Sequence, residues 1–146
     1  MNDPYLLAGA IHVDDRGETG FVNDFAFRGV KRFYTIANHR AGTVRAWHGH
    51  KREAKYVSAV RGALLACVVK IDDWQTPSSD LPIQRFVLSE HSPAILSIPP
   101  GHANGFMSLT DSAKAIVFST ATLQESEADD FRFPARKWDP WRVAER

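Results

Sequence analysis

The chain has 146 residues, room for one domain with a substantial core and not for two ordinary ones, so a single domain over 1–146 is expected. Eighteen basic and seventeen acidic residues leave a formal charge of +1 with no long run of either sign, which excludes a broad nucleic-acid or membrane-surface interface on composition. The one cysteine, Cys67, lies in the apolar run GALLACVVKI; a single thiol builds neither an internal disulfide nor a thiolate cluster, and it reads as a small core residue in a reducing compartment.

The start MNDPYLLAGAIHVDD lacks a basic segment followed by a long apolar core, and nowhere do eighteen apolar residues run together, so a soluble cytoplasmic protein is expected. In chain order, FVNDFAF (21–27), KRFYTIA (31–37), GTVRAWHGH (42–50), AKYVSAV (54–60) and ALLACVVKI (63–71) each predict a strand. The polar stretch DDWQTPSSDLP (72–82) predicts a loop. Beyond it IQRFVLS (83–89), AILSI (94–98), GFMSL (105–109) and KAIVFST (114–120) predict further strands. After residue 120 the pattern changes: LQESEADDF suits a turn or two of helix, and RFPARKWDPW an extended tail anchored by aromatics. With no repeat and no long helical period, the chain is expected to be all-β, a sandwich or barrel.

Chemistry concentrates in RAWHGHKREAKY (45–56). Residues two apart on a strand share a face, so His48 and His50 point the same way while Trp47 and Gly49 take the other. Gly42 is followed by five residues, then His48 and His50, four residues, Lys55, six residues and Gly62; later comes Pro99-Pro100-Gly101-His102-Ala103-Asn104. Both spacings resemble the two motifs of the cupin barrels, whose side chains converge on a metal. Here the carboxylate position holds Lys55 and the last histidine position holds Asn104, with Glu53 and His102 one or two residues out of register. Two imidazoles, an ammonium and an amide do not make the donor set a transition metal requires, and the ammonium repels a divalent ion. No metal and no cofactor are expected. The set His48, His50, Lys55 and Asn104 suits proton transfer instead: a base near neutral pH beside a cation that stabilises a developing oxyanion.

The segments DDRGETGFVNDF, VRAWHGHKREAKYVSAVRG, LSIPPGHANGFMSLTDSAKAIVFST and the closing WDP occur in an order that resembles the RmlC-like cupins, the nucleotide-sugar 3,5-epimerases typified by dTDP-4-dehydrorhamnose 3,5-epimerase. The resemblance covers most of residues 14–141. It implies a jelly-roll barrel and a metal-independent isomerase acting on a nucleoside-diphosphate 4-keto-6-deoxy sugar, most simply a dTDP-sugar, in deoxysugar and polysaccharide biosynthesis. It also implies a homodimer, with the N-terminal strands of about residues 1–36 at the contact and residues 121–146 as a C-terminal tail. In its terms His48 is the base, Lys55 sits by the substrate's keto oxygen, and Arg16 and Arg45 hold the diphosphate; Asn104 and His102 are further substrate-binding candidates.

Three departures stand out. The family's acid, a tyrosine in the last core strand, aligns with Val117 or Phe118, and no tyrosine follows Tyr56. The family's aspartate behind the base belongs to a C-terminal extension, and the histidine after Pro-x-Gly is Asn104. A second resemblance is to the sugar 3,4-ketoisomerases of the same fold, which carry a tyrosine fourteen residues before their His-x-His pair; Tyr34 stands fourteen before His48, and His50 completes the set. Lys55 and IPPGHANGF favour the epimerases. Tyr34 is the leading acid in either case, with His102 behind it.

Overall fold

The computed structural model describes residues 2–146. Its elements are β1 (Tyr5–Ala8), β2 (Ala10–Asp14), β3 (Gly17–Phe21), β4 (Arg32–Ala37), β5 (Val44–His50), β6 (Lys55–Arg61) and β7 (Ala63–Lys70). They continue with β8 (Ile83–Ser89), β9 (Ala94–Ile98), β10 (His102–Ser108), β11 (Lys114–Ser119), helix α1 (Leu123–Glu127) and β12 (Phe131–Arg132). Two five-stranded sheets, β1-β9-β6-β11-β4 and β12-β5-β10-β7-β8, are antiparallel throughout, and β2 and β3 form a separate hairpin. This is the jelly-roll sandwich of the RmlC-like cupins.

Strand chemistry explains the two layers of core. Along β11 and β6, buried and partly exposed residues alternate with period two. Val57, Ala59, Ala115 and Val117 turn inward to meet Leu64, Ala66, Val68, Leu96 and Phe106 between the sheets. Strands β7 and β10 are buried on both faces, because the second sheet has its own outer cover. Trp138 and Trp141 of the C-terminal tail pack there against Trp47, Leu65, Cys67, Val69, Ala103 and Met107. Polar ends of the indoles are satisfied: Trp138 donates to the Ser78 carbonyl at 2.9 Å and Trp141 to that of Ala135 at 2.9 Å. Gly105 lets the tail sit this close, since a Cβ there would lie 2.8 Å from the Trp141 ring.

The strands expected from KRFYTIA through KAIVFST all form, with three differences. FVNDFAF is strand only at Phe21; residues 22–31 run irregularly, broken by the turn-formers Asn23-Asp24 and by Gly29 at φ 72°. β1, β2 and β3 form where no strand was expected, since their short, largely exposed segments carry no alternation to read. β10 starts at His102, before GFMSL, because hydrogen bonding between β5 and β7 imposes strand geometry on a segment that looks like a turn.

Candidate active site

A cavity of about 500 Å³ opens at one end of the sandwich, walled by β4, β5, β6, β10 and the segment from α1 to β12. It gathers Tyr34, Arg45, His48, His50, Lys55 and Asn104, six of the eight residues expected to act. The register of β5 makes this possible. Asn104 faces His48 and Phe106 faces Arg45, so β5 spends three steps where β10 spends two. Without that extra residue Arg45 and His48 would point to opposite faces; the bulge at Ala46-Trp47 turns both into the cavity. Trp47 goes to the outer face, its indole N–H donating to the Trp138 carbonyl at 3.1 Å.

His48 sits at the rim. β12 pairs alongside it, Arg132 opposite His48 and Phe131 opposite Gly49. Burial, then the cations of Arg132 and Lys55, push the His48 imidazole down to about 4, against the opposing pull of Asp130. The ring is therefore neutral at physiological pH and free to accept a proton. Asp130 is held by Arg132, whose Nε lies 3.0 Å from Oδ1.

His50 lies on the floor, 5% exposed. Its Nδ1–H donates to the Asp129 carbonyl at 2.8 Å, which fixes the tautomer and leaves the lone pair on Nε2, a buried atom with no hydrogen-bond partner. Burial and the Lys55 ammonium lower its proton affinity; Glu53 and Asp129 oppose them. Lys55 is 7% exposed, its Nζ 3.7 Å from Glu53 Oε2 and 5.9 Å from the centre of the Tyr34 ring. Arg32 lies on the same ring at 4.9 Å and is steadied by the Ala121 carbonyl at 3.1 Å. Arg45 donates through Nε to Asn38 Oδ1 at 2.6 Å, and Asn38 donates in turn to Ser108 Oγ at 2.8 Å.

Asp129 ties these parts together. Its carboxylate accepts the backbone N–H groups of Lys51, Arg52 and Glu53 at 2.9, 2.8 and 3.0 Å, pinning the loop between β5 and β6 to the segment that follows α1. Burial alone would raise this carboxyl, but the three donors bring it below its usual range.

Two of the expected residues lie elsewhere. Arg16 occupies the exposed turn between β2 and β3, its guanidinium on Asp14 with Nη2 2.6 Å from Oδ2, and does not line the cavity of this chain. His102 is buried rather than solvent-facing: as the first residue of β10 it donates through Nδ1 to the carbonyls of Pro99 and Pro100 at 3.1 Å each. It borders a separate cavity of about 350 Å³ with Lys70 and Gln84. At the aligned tyrosine position, Val117 is inward core and Phe118 packs outward against Phe25 and Phe27, but Val117 pairs directly with Tyr34 on β4. A phenol thus stands one strand over from the expected place. Arg32, Asp130 and Arg132 also line the cavity and were not anticipated; the only sequence signal was the two-residue spacing of Asp130 and Arg132 in DDFRF, a segment too short to read as a strand. Among the described residues no group of three or more His, Cys, Asp or Glu side chains is arranged to hold a metal ion. No described helix is long and apolar enough to cross a membrane.

The sequence model of the dTDP-4-dehydrorhamnose 3,5-epimerase family matches residues 2–135. The chain belongs to this family of isomerases. No curated protein sequence matches it. Among solved structures, the rmlC epimerase of Mycobacterium tuberculosis superposes with a TM-score of 0.76 at 23% identity, over 94% of this chain and 71% of that one. The dTDP-4-dehydrorhamnose 3,5-epimerase of Bacillus anthracis gives 0.75 at 19%, over 98% and 87%. The QdtA 3,4-ketoisomerase of Thermoanaerobacterium thermosaccharolyticum gives 0.70 at 20%, over 94% and 93%. At these identities the likenesses establish the shared fold.

Proposed function

We propose that the protein epimerises C3, C5 or both of a nucleoside-diphosphate 4-keto-6-deoxy sugar by metal-independent proton transfer in the His48 cavity. The observation that carries this is the neutral His48 imidazole sharing one cavity with the Lys55 ammonium inside an epimerase-family barrel. A 4-keto group acidifies the neighbouring C–H bonds. His48 takes the proton, the C–H pair passes into the enolate, and Lys55, with the Asn104 amide, holds the oxygen that gains charge. Tyr34 returns a proton to the opposite face of the carbon and regains one from His50 or solvent. Arg45, already oriented by Asn38, binds the diphosphate by charge-assisted hydrogen bonds. The Bacillus anthracis epimerase structure carries bound TDP and the ketoisomerase structure is a TDP complex, which supports a thymidine nucleotide here.

We place the protein in the cytoplasm as a homodimer. The outer face of the β1-β9-β6-β11-β4 sheet presents Phe27, Phe33 and Val60 at 60, 65 and 52% exposure beside Phe25 and Phe118, apolar surface that a second copy would cover with its segment of about residues 20–36. In that arrangement Arg16 serves the partner's cavity. A monomer in sedimentation at micromolar concentration sinks both statements.

The presence of Tyr34 with both histidines in one cavity supports 3,4-ketoisomerisation as the second reading. Incubation with nucleotide-linked 4-keto sugars in heavy water, followed by proton NMR, separates the two. Epimerisation exchanges hydrogens at C3 or C5 with the ketone staying at C4, whereas isomerisation moves it to C3. Binding without any carbon-bound exchange makes the protein a non-catalytic sugar-nucleotide receptor and removes the epimerase reading.

A further inference from the structure

Glu53 is the buried charge that this mechanism leaves unused. Its side chain has no solvent exposure, and neither carboxylate oxygen has a hydrogen-bond partner. A carboxylate taken out of water without donors is strongly disfavoured unless opposite charge stands against it. Two groups do. Lys55 Nζ lies 3.7 Å from Oε2 and His50 Nδ1 lies 3.8 Å from Oε1, each too far for a strong hydrogen bond and close enough for direct charge attraction. The surrounding charges do not compete for that place. Asp129 commits its carboxylate to three backbone N–H groups, one of them that of Glu53 itself, and Arg52 and Glu125 border the small cavity behind the loop. Glu53 therefore stands behind both groups of the cavity floor and outside the cavity.

We propose that Glu53 is a positioning residue that holds the Lys55 ammonium and the His50 imidazole in place by charge, so that the floor can receive a proton and face an enolate at the same time. The proposal rests on the proton-transfer reading above. A proton reaching His50 Nε2 leaves its electron pair on the atom it came from and forms an N–H bond; the imidazolium then has the Asp129 carbonyl and the Glu53 carboxylate on its Nδ1 side. Glu53 itself neither gives nor takes a proton.

The test replaces Glu53 by Gln, which keeps the volume and removes the charge, and by Asp, which keeps the charge. Thermal unfolding, TDP affinity by calorimetry, the rate of hydrogen exchange next to the ketone and the NMR titration of the His50 ring are compared with the wild type. Glu53→Gln is expected to bind TDP within about twofold and to exchange at least about tenfold more slowly, with Glu53→Asp recovering part of the rate. His50 is expected to titrate at lower pH in Glu53→Gln, because the carboxylate that favours its charged form is gone. A folded Glu53→Gln protein with full rate and an unmoved His50 titration overturns the proposal. Should the wild type exchange no carbon-bound hydrogen, the epimerase reading fails, and the His50 titration alone still decides for or against Glu53. Should Glu53→Gln not fold, isotope-edited infrared spectra of the wild type decide: an ionised Glu53 at neutral pH supports the role, and a protonated one overturns it.

Discussion

The rim and the floor of the cavity hold one histidine each, two residues apart on β5, and the protein treats them differently. At the rim, His48 is shaped by Arg132 and Asp130, exposed side chains on a two-residue strand whose charges act partly through solvent. At the floor, His50 meets only fixed, water-free partners: the Asp129 carbonyl, Glu53 and Lys55. Both imidazoles are kept neutral, one mainly adjustable by salt and surface substitution, the other only by changing what is buried with it. One strand can thus present a base open to substrate and a second ring whose tautomer is set by the fold.

The strongest break in that comparison is His48→Asn, expected to abolish exchange at the carbon next to the ketone, by about three orders of magnitude or more, with TDP binding retained. If His50→Asn does this and His48→Asn does not, rim and floor have exchanged roles. Lys55→Met comes next: loss of one oxyanion-stabilising group is expected to lower the rate by roughly a hundredfold with a smaller effect on binding, measured as kcat against TDP affinity. Asp129→Ala frees three backbone N–H groups and the loop under His50, and should lower unfolding stability by about 2–3 kcal/mol in denaturant titration, with activity falling alongside.

The smallest effect sharpens the contrast at the rim. His48 must be neutral to act, so the wild-type rate should fall as pH drops through about 4 rather than through the 6.5 of an unperturbed ring. Arg132→Ala removes a cation that disfavours the imidazolium and should move this acid limb upward, leaving the rate at alkaline pH nearly unchanged. An unmoved limb means that Arg132 does not act on His48. The same shift bears on folding: a depressed histidine supports the native state fully above 6.5 and progressively less as pH falls towards about 4.

Tyr34, His48, His50 and Lys55 were readable because strand period and motif spacing place them before any coordinate is known, and the cavity does contain all four. Arg45 was readable only through family likeness. Simple alternation sets it against His48, and the bulge that reconciles them depends on pairing with β10, which no local pattern encodes. His102 looked exposed in a Pro-Gly context because its burial comes from β5 and β7 on either side. Arg32, Asp130 and Arg132 escaped notice for a related reason: each becomes part of the site through packing across nearly the whole length of the chain. The sandwich itself was legible from β4 onward, where alternation and turn residues agree, and not in β1 to β3, where exposed edges leave no periodic signal.

The grip of Asp129 on Lys51, Arg52 and Glu53 also has a bearing on how the molecule is made. A nascent chain emerging from the ribosome can pair β4 through β11 among themselves before residue 129 appears, so a folded sandwich precedes a finished site. Until then the loop carrying Glu53 has no anchor, His50 has no carbonyl to choose its tautomer, and the rim beside His48 is open. Catalytic competence is therefore conferred last, by a short stretch of late-synthesised chain, and an unfinished polypeptide can be compact without being active.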